Sequence, residues 1–241
     1  MNKLTILLDK TKPLCEVFLD IIFPKRCVEC GREGSFVCYD CVAKIETIKT
    51  ATCAACGKIS KYGQFCPACK TKLGIDFSGL IVAADYDMGP TKEMIHHLKY
   101  SGFTELATLL SEIIYQSLRN NLPKGQLVIV PVPLHEKKEG MRGFNQSELV
   151  ARELSKKLDI AGGCAISRIK ETETQVSLNR KERQQNLIGA FVCEDREFVE
   201  GKSVLLIDDV ATTLTTLNEC AKELKKAGAK KVYGVVVARR L

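Results

Sequence analysis

The sequence predicts an α/β protein in which a small cysteine-rich module precedes a domain built on a parallel β-sheet. Two observations support this fold class. Between residues 75 and 241, short and almost continuous apolar runs alternate with segments of helical periodicity, which is typical of a parallel sheet covered by helices on both faces. Between residues 25 and 73, eight cysteines occur in closely spaced pairs, which indicates metal binding in place of a large apolar core.

The first 24 residues have a different pattern from the rest of the chain. Apolar residues recur every three or four positions from 14 to 22, and Pro24 ends this pattern, so we predict an amphipathic helix within 1–24. Its polar face is not markedly basic, which favours packing on the next module over binding to a membrane surface. The apolar start meets Asp9 too early for a secretory signal, and no apolar run reaches the roughly 18–20 residues of a membrane span. We therefore predict a cytoplasmic protein.

The elements of the predicted sheet domain follow in order along residues 75–241. Apolar runs predict strands at 79–84, 127–132, 191–193, 203–207 and 232–238. Apolar residues spaced by three or four predict helices at 91–99, 105–118, 146–158 and 214–227. Asn145 is placed to cap the start of the third helix, and Gly228 follows the fourth helix, where a left-handed residue commonly ends a helix.

The cysteines of residues 25–73 form two quartets with the same pattern. In each quartet, two Cys-x2-Cys pairs are separated by a short stretch, of seven residues in the first and nine in the second. Two residues between cysteines let both thiolates of a tight turn face one ion, and two such turns complete a tetrahedral site. We predict a double zinc ribbon with two structural Zn²⁺ ions, whose ligands are Cys27, Cys30, Cys38 and Cys41, and Cys53, Cys56, Cys66 and Cys69.

The spacing leaves the pairing of the quartets open between sequential sites, which are simpler, and a cross-braced arrangement. Disulfides and an iron–sulfur cluster fit the pattern less well. Gly31 and Gly57 each follow the first pair of a quartet, where a tight turn favours a residue that tolerates positive φ. Three cysteines after residue 75 lack partners at metal spacing and are predicted to be buried thiols: Cys164, Cys193 and Cys220.

The charge of the chain gives little support to nucleic-acid binding by itself. The formal net charge is +7, from 36 basic and 29 acidic residues, which is a mild excess. Eight zinc-bound thiolates add −8 and two Zn²⁺ ions add +4, so the zinc-loaded chain is near +3. Two basic segments, 135–146 and 168–183, are predicted as loops, whose cations either stay solvated or neutralise an anionic ligand.

The most informative segment for chemistry is VLLIDDVATTLTT, at 204–216. A buried strand ends in Asp208 and Asp209, and a loop rich in threonine then opens a helix. Ligands of parallel sheets bind at the carboxyl ends of strands, and hydroxyl and backbone N–H groups at a helix start suit a phosphate. The acidic pair suits sugar hydroxyls or a hydrated Mg²⁺ ion. A phosphorylated sugar needs both kinds of partner, although a strand, a turn and a capped helix without a ligand would also fit the pattern.

At these residues the chain resembles a known family. The segment DDVATTLTT resembles the signature of type I phosphoribosyltransferases, DDVxTTGxT, which bind phosphoribosyl pyrophosphate (PRPP). Over nearly its whole length the chain resembles the ComF family, which is associated with competence and carries an N-terminal cysteine module. The landmarks of this resemblance are the two quartets, HLKYSG at 97–102, VPVPLH at 130–135, RGFNQSELVAR at 142–152 and the run at 175–191.

The resemblance implies a role for each matching position. The loop residues Ala211, Thr212, Thr213, Leu214, Thr215 and Thr216 would bind the 5-phosphate of PRPP. Asp208 and Asp209 would be the catalytic acidic residues and would bind the ribose hydroxyls, directly or through Mg²⁺. Pro133 and Leu134 would lie near the pyrophosphate, where Lys99 and Arg142 are further candidates for substrate contacts.

One position departs from the signature, because Leu214 stands where the motif has glycine. If Leu214 points into the apolar stripe of the following helix, PRPP binding survives; if it fills the loop, binding is weakened. Three functions follow from the sequence. The first is phosphoribosyl transfer to an unidentified acceptor. The second is a non-catalytic or PRPP-sensing accessory role in DNA uptake, with single-stranded DNA or DNA-uptake and helicase proteins as partners. The third is a docking scaffold based on the zinc ribbon. The resemblance also leaves a homodimer open.

Overall fold

A computed structural model of the protein describes residues 24–170 and 187–240. The amphipathic helix predicted within 1–24 and most of the basic segment 168–183 lie outside these ranges. Within them, the chain forms a small cysteine-rich module followed by a domain with a parallel sheet, as the sequence predicts.

The central sheet has four strands within the described residues, and all of its neighbouring strands run parallel. The strands are β1 (Gly79–Asp85), β2 (Leu127–Pro131), β5 (Ser203–Ala211) and β6 (Lys231–Arg239). Their order across the sheet is β1–β6–β5–β2. Every one of these strands was predicted, although three run further than the apolar runs suggested.

Helices cover both faces of this sheet. Successive residues of a strand point to opposite sides, so the residues of a strand that is covered on both faces belong alternately to two buried clusters. In β5, Val204 and Leu206 belong to one buried cluster, and Leu205 and Ile207 belong to the other. The four predicted helices are present within one or two residues of the predicted ends. They are α3 (Thr91–Tyr100), α4 (Leu106–Leu118), α6 (Gln146–Leu158) and α8 (Thr215–Lys226).

The segment 135–146, predicted as a loop, contains a helix instead, α5 (Glu136–Arg142). The ring Nδ1 of His135 accepts a hydrogen bond from the Lys137 N–H and caps the helix start. Acidic residues in the first turn and Arg142 in the last turn favour the helix dipole. Its charged surface has no apolar stripe, which is why periodicity did not reveal it. The described part of the domain also contains three short elements: β3 (Ile166–Arg168), which pairs antiparallel with β4 (Phe191–Cys193), and α7 (Arg196–Val199).

The cysteine-rich module contains two short helices, α1 (Tyr39–Val42) and α2 (Pro67–Leu73), and a 3₁₀ turn at Lys61–Gly63. It rests directly on the sheet domain. The Ser117 hydroxyl of α4 donates a hydrogen bond to the Ile48 carbonyl at 2.7 Å, and the Asn121 amide donates one to the Lys49 carbonyl at 2.9 Å. The guanidinium of Arg239, in β6, donates a hydrogen bond to the Ala54 carbonyl. These contacts place the zinc ribbon beside the sheet that carries the candidate site.

Candidate functional site

The acidic pair lies inside strand β5. The strand was predicted to end at residue 207, but it continues to Ala211. Backbone pairing with β6 includes Asp208 opposite Val236 and Ala211 opposite Arg239. The pairing with β2 ends at Ile207, so β6 alone continues the ladder alongside the two charged residues, where the apolar run stops. The pair is thus held by a rigid element, with Asp209 buried and Asp208 half-buried.

The Asp208 carboxylate is oriented by two hydrogen bonds to the same oxygen. Its Oδ1 accepts from the Ser147 hydroxyl, at 3.0 Å, and from the Asp209 N–H, at 2.9 Å. Burial and the neighbouring charge of Asp209 raise the pKa of Asp208 to about 7, against the lowering effects of Lys99 and these hydrogen bonds. Asp208 therefore changes its charge near neutral pH. Ser147 was not among the predicted site residues; its place two residues after the helix cap Asn145 is the signal in the sequence that indicates it.

Asp209 forms a buried ion pair with Lys99, which comes from the end of α3. The Lys99 Nζ lies 2.7 Å from the Asp209 Oδ1, and the two side chains are only 21% and 4% exposed. Burial alone would lower the pKa of Lys99, but the charge and the hydrogen bond of Asp209 raise it above its ordinary value. The second oxygen, Oδ2, is buried and has no hydrogen-bond partner among the described residues. A buried carboxylate oxygen without a partner is rare, and it points to a missing donor or cation.

The loop after β5 turns sharply into helix α8. Leu214 adopts a left-handed backbone conformation, with φ 65°, and helix α8 begins at the next residue. The Thr213 and Thr215 hydroxyl oxygens lie 3.0 Å apart, on either side of Leu214. The Leu214 side chain is 7% exposed and packs in the same buried cluster as Leu217. Leucine thus keeps the backbone conformation that glycine adopts readily, while its side chain points into the core and not into the loop.

Cationic side chains from three elements lie near Lys138, on α5. The pKa of Lys138 is lowered by burial and by the charges of Arg168, Arg142 and Lys99. Of these cations, Lys99 pairs with Asp209. Arg142 donates a hydrogen bond to the buried side chain of Gln146. Lys99 and Arg142 were predicted as substrate residues, whereas Lys138 and Arg168 were recognised only as members of basic segments.

Pro133 and Leu134 lie at the end of β2 and line a cavity of about 480 Å³. The same cavity is lined by Asn145 and Arg168. The Asn145 side chain caps α6, as predicted, by accepting from the Ser147 N–H at 3.0 Å, and it donates to the Val132 carbonyl at 3.1 Å. Asn145 therefore joins the turn after β2 to Ser147 and, through Ser147, to Asp208. The structure brings together the predicted positions on β2, β5 and α3.

The two cysteine quartets form two separate sites, so the pairing is sequential and not cross-braced. The four sulfur atoms of each quartet lie within 4.8 Å of one another. The Cys30 and Cys38 sulfurs are 3.6 Å apart and the Cys56 and Cys66 sulfurs 3.8 Å apart. A tetrahedron with Zn–S bonds of about 2.3 Å has edges of about 3.8 Å, so the donor sets fit Zn²⁺.

Backbone groups favour the thiolate form, which zinc requires, at one cysteine of each quartet. Burial raises the pKa of Cys27, but backbone N–H groups of Cys38, Cys30 and Glu29 outweigh it and lower this pKa to about 6. The same arrangement lowers the pKa of Cys53 to about 6. At another cysteine of each quartet the pKa is raised: burial raises that of Cys41, and the hydrogen bond of Cys66 raises that of Cys69. Gly31 and Gly57 adopt φ values of 74° and 75°, as their positions in the turns predicted.

The cysteines outside the quartets differ from the prediction that they are buried. Cys220 is buried, but Cys193 is half-buried and Cys164 is exposed, where it lines the cavity beside β2. Cys164 lies in the irregular segment between α6 and β3, a region without apolar periodicity that would indicate its environment. Within 24–170 and 187–240, none of the helices combines the length and the apolar character that crossing a bilayer requires.

Comparison with known proteins agrees with this architecture. Residues 18–70 match the double zinc ribbon domain, and residues 103–241 match the phosphoribosyl transferase domain. Competence protein F of Haemophilus influenzae is 29% identical, over 85% of this chain and 97% of its own length. DNA utilization protein YhgH of Escherichia coli is 33% identical, over 85% of this chain and 91% of its own. Competence protein ComFC of Bacillus subtilis is 28% identical, over 80% and 79%. The chain therefore belongs to the ComF family, in which a double zinc ribbon precedes a phosphoribosyltransferase-type domain.

Proposed function

We propose that this protein binds PRPP together with Mg²⁺ and transfers the phosphoribosyl group to an acceptor. One observation carries the proposal: the acidic pair of β5 leads directly into a hydroxyl-rich loop at the start of a 12-residue helix, and Lys99, which pairs with Asp209, is one of the cations near Lys138. A sugar that bears a phosphate at one end and a pyrophosphate at the other is complementary to this order of groups.

The loop at 212–216 is suited to the 5-phosphate. The left-handed Leu214 turns the backbone into α8, and the first N–H groups of a helix lack partners within the helix. These N–H groups, the threonine hydroxyls and the positive end of the helix dipole together favour a dianionic group. The inward position of the Leu214 side chain supports binding despite the departure from the motif.

Asp208 and Asp209 are suited to the ribose. Ribose hydroxyls are hydrogen-bond donors, and the unpartnered Oδ2 of Asp209 offers a buried acceptor. The carboxylates also fit Mg²⁺, which prefers oxygen ligands and keeps several of its waters. Asp208 is better placed than Asp209 to bind the ion, because Lys99 already occupies Asp209 Oδ1. When bound, Mg²⁺ would neutralise charge on the pyrophosphate. Ser147 and Lys99 hold the two carboxylates in fixed orientations.

The reaction that these groups support is a displacement at the anomeric carbon of the ribose. The lone pair of an acceptor nitrogen forms a bond to C1 while the bond from C1 to the pyrophosphate oxygen breaks, and its electron pair leaves with the pyrophosphate. The acceptor nitrogen then releases its proton to solvent. Lys99, Lys138, Arg142 and Arg168 favour the departing anion, so positioning and charge neutralisation supply the rate enhancement.

Calorimetric titration of PRPP with Mg²⁺ into the zinc-loaded full-length protein tests this function. We expect binding by the wild type and its loss in Asp208→Asn/Asp209→Asn. A control with the same change in charge, Glu197→Gln/Glu200→Gln on and just after α7, is expected to bind normally, because neither residue contacts the site. Absence of binding by the wild type at millimolar PRPP would disprove the proposed function.

The names of the relatives favour a second function, in competence and DNA utilization. In this role the cation cluster around Lys138 and Arg142 would contact the phosphates of a single strand. Fluorescence anisotropy with a labelled 20-nucleotide strand tests it on the full-length protein, since binding through a few phosphates weakens steeply with salt. Affinity that is unchanged in Lys138→Gln/Arg142→Gln would exclude this surface as the contact.

A further inference from the structure

The second zinc ribbon, at 47–75, carries no acidic residue. It has five lysines instead, which are Lys49, Lys58, Lys61, Lys70 and Lys72. Together with four thiolates and one Zn²⁺ ion, these lysines give the second ribbon a net charge of +3. The first ribbon, at 25–46, has four basic and four acidic residues around the same kind of metal site, which gives it a net charge of −2. The two ribbons share a ligand pattern and are opposite in charge.

The lysines of the second ribbon have no counter-charge within this protein. Four of them are exposed, and Lys70 is half-buried. Among the residues that the structure describes, none of the five pairs with a carboxylate. In the first ribbon, by contrast, Arg26 pairs with Glu33, and Arg32 pairs with Asp40. The second ribbon therefore presents positive charge that only another molecule can neutralise.

A hairpin of the second ribbon places two of these lysines beside an exposed aliphatic side chain. The Cys53 N–H donates a hydrogen bond to the Lys58 carbonyl at 2.8 Å, and Thr52 pairs antiparallel with Ile59. The Ile59 side chain is 82% exposed, so it adds almost nothing to the core of this chain. Lys61 follows two residues later and is separated from Lys58 by about 11 Å of chain at most. We call Lys58, Ile59 and Lys61 the ribbon patch.

The aromatic rings of the second ribbon point inward, which argues against a single strand of nucleic acid as its partner. Tyr62 and Phe65 are the only aromatic residues of this ribbon. The Tyr62 ring packs edge-on against Tyr233 of β6 at 6.2 Å, and the buried Phe65 ring packs edge-on against Phe77 at 5.3 Å. Proteins that bind single strands without sequence preference stack the bases on aromatic side chains. The patch offers ammonium groups around an aliphatic side chain instead, which suits a peptide.

We propose that the ribbon patch docks an acidic segment of a partner protein, in which glutamate or aspartate residues flank an aliphatic residue. The carboxylates pair with Lys58 and Lys61, and the aliphatic side chain covers Ile59. Complementary charge selects the partner and speeds association, whereas burial of Ile59 adds affinity that salt does not screen. The inference goes beyond the proposed transfer of phosphoribose, because none of the three patch residues belongs to the site on β5.

Fluorescence anisotropy with a labelled acidic peptide tests this surface on the zinc-loaded full-length protein. The probe is a short peptide in which glutamate alternates with leucine, and the control peptide has glutamine in place of glutamate. We expect the wild type to bind the glutamate peptide and Lys58→Gln/Lys61→Gln to bind it roughly tenfold more weakly, because two exposed ion pairs account for about that factor. This variant should also lose most of the salt dependence of binding.

Two further variants separate the charged and apolar contributions of the patch. Ile59→Ser should weaken binding several-fold and keep the salt dependence of the wild type. Arg26→Gln/Arg32→Gln is the matched control, since it removes the same charge from exposed positions of the first ribbon and should bind the glutamate peptide as the wild type does. The zinc content of every variant should stay near two ions per chain, because none of the changed residues is a ligand.

Three results would overturn the inference. They are equal affinity of Lys58→Gln/Lys61→Gln and the wild type, equal binding of the glutamate and glutamine peptides, and no binding of the glutamate peptide at millimolar concentration. A labelled single strand of DNA is the competing occupant. If the strand binds, weakens with the lysine change and is not displaced by the glutamate peptide, the patch belongs to nucleic acid and the inference is wrong. Calorimetry with PRPP and Mg²⁺ separates this inference from the proposed function, because the lysine variant should bind PRPP as the wild type does.

Discussion

Replacing Lys99 with methionine should destabilise the protein strongly, although Lys99 is a lysine at the end of a helix. The change keeps the length and the apolar stem of the side chain and removes the ammonium group. Asp209 is then left buried, beside Asp208, with neither of its oxygens paired: Oδ1 loses the partner at 2.7 Å, and Oδ2 has none among the described residues. Two adjacent carboxylates without a counter-charge repel each other in a poorly solvated site.

The expected loss is about 2–4 kcal/mol. Breaking a fully buried ion pair by removing one partner costs roughly 3–5 kcal/mol, and we reduce this because Lys99 is 21% exposed. With a urea m-value of roughly 2–3 kcal/mol per molar, the unfolding midpoint should fall by about 1 M. Far-UV circular dichroism of the zinc-loaded protein at pH 7.5 follows the helices of the sheet domain. The double variant Lys99→Met/Asp209→Asn should recover at least about 1 kcal/mol of the summed losses.

The matched control is the ion pair between Lys157 and Glu112. Its N–O distance is 2.8 Å, close to that of the site, but its side chains are 26% and 28% exposed, and an exposed pair contributes about 1 kcal/mol or less. Lys157→Met should therefore shift the midpoint by a third of the Lys99→Met shift or less. Equal shifts for the two variants, or a loss under about 0.5 kcal/mol for Lys99→Met, would refute the reasoning from burial.

Three further predictions concern pH, the loop at 212–216 and zinc. Burial and Asp209 raise the pKa of Asp208 from 3.8 to about 7, so the folded state keeps a proton that the unfolded chain releases. The free energy of unfolding should therefore fall as pH rises from about 4 to about 7. The urea midpoints of Asp208→Asn should lack this decline. Leu214→Gly relieves a left-handed leucine, worth about 1 kcal/mol, but loses a buried side chain worth roughly 2–5 kcal/mol. Thermal melts should therefore show a net loss of about 1–4 kcal/mol with PRPP binding retained, and a stabilised variant would contradict this. Cys30→Ser and Cys56→Ser, both at exposed ligands, should each lower the zinc content from about two ions per chain to about one. Only Cys56→Ser should also lower the unfolding midpoint of the sheet domain.

The strands and long helices were predictable because burial imposes a pattern on their residues. In β6, seven successive buried residues follow Lys231, and such a run fits only a central strand. The end of β5 was not predictable in this way, since Asp208 and Asp209 interrupt the apolar run although the backbone pairing with β6 continues. Hydrophobic periodicity reports side-chain burial, and it fails where a strand carries polar groups for a site.

The cation cluster shows a different limit. Lys99, Lys138 and Arg168 are separated by 39 and 30 positions in the sequence, and nothing in their local patterns indicates that they meet. Arg142 and Lys99 were predicted only because the resemblance to the ComF family marks their segments. Helix α5 was missed because its capping by His135 and its charged surface leave no apolar stripe. Long-range electrostatic contacts of this kind depend on the topology β1–β6–β5–β2, which the sequence does not determine locally.

The two zinc quartets, alike in sequence, differ in how they support the site. In the first quartet the buried cysteines form a small cluster of their own, with Val37 packed against it. In the second, Cys53 belongs to the same buried cluster as Leu214, and the neighbouring Ala54 carbonyl accepts a hydrogen bond from Arg239. Arg239 pairs with Ala211, the last residue of β5 before the loop at 212–216. Removal of zinc from the second quartet should therefore disturb the loop through Arg239 and the shared core, whereas its removal from the first leaves this connection intact.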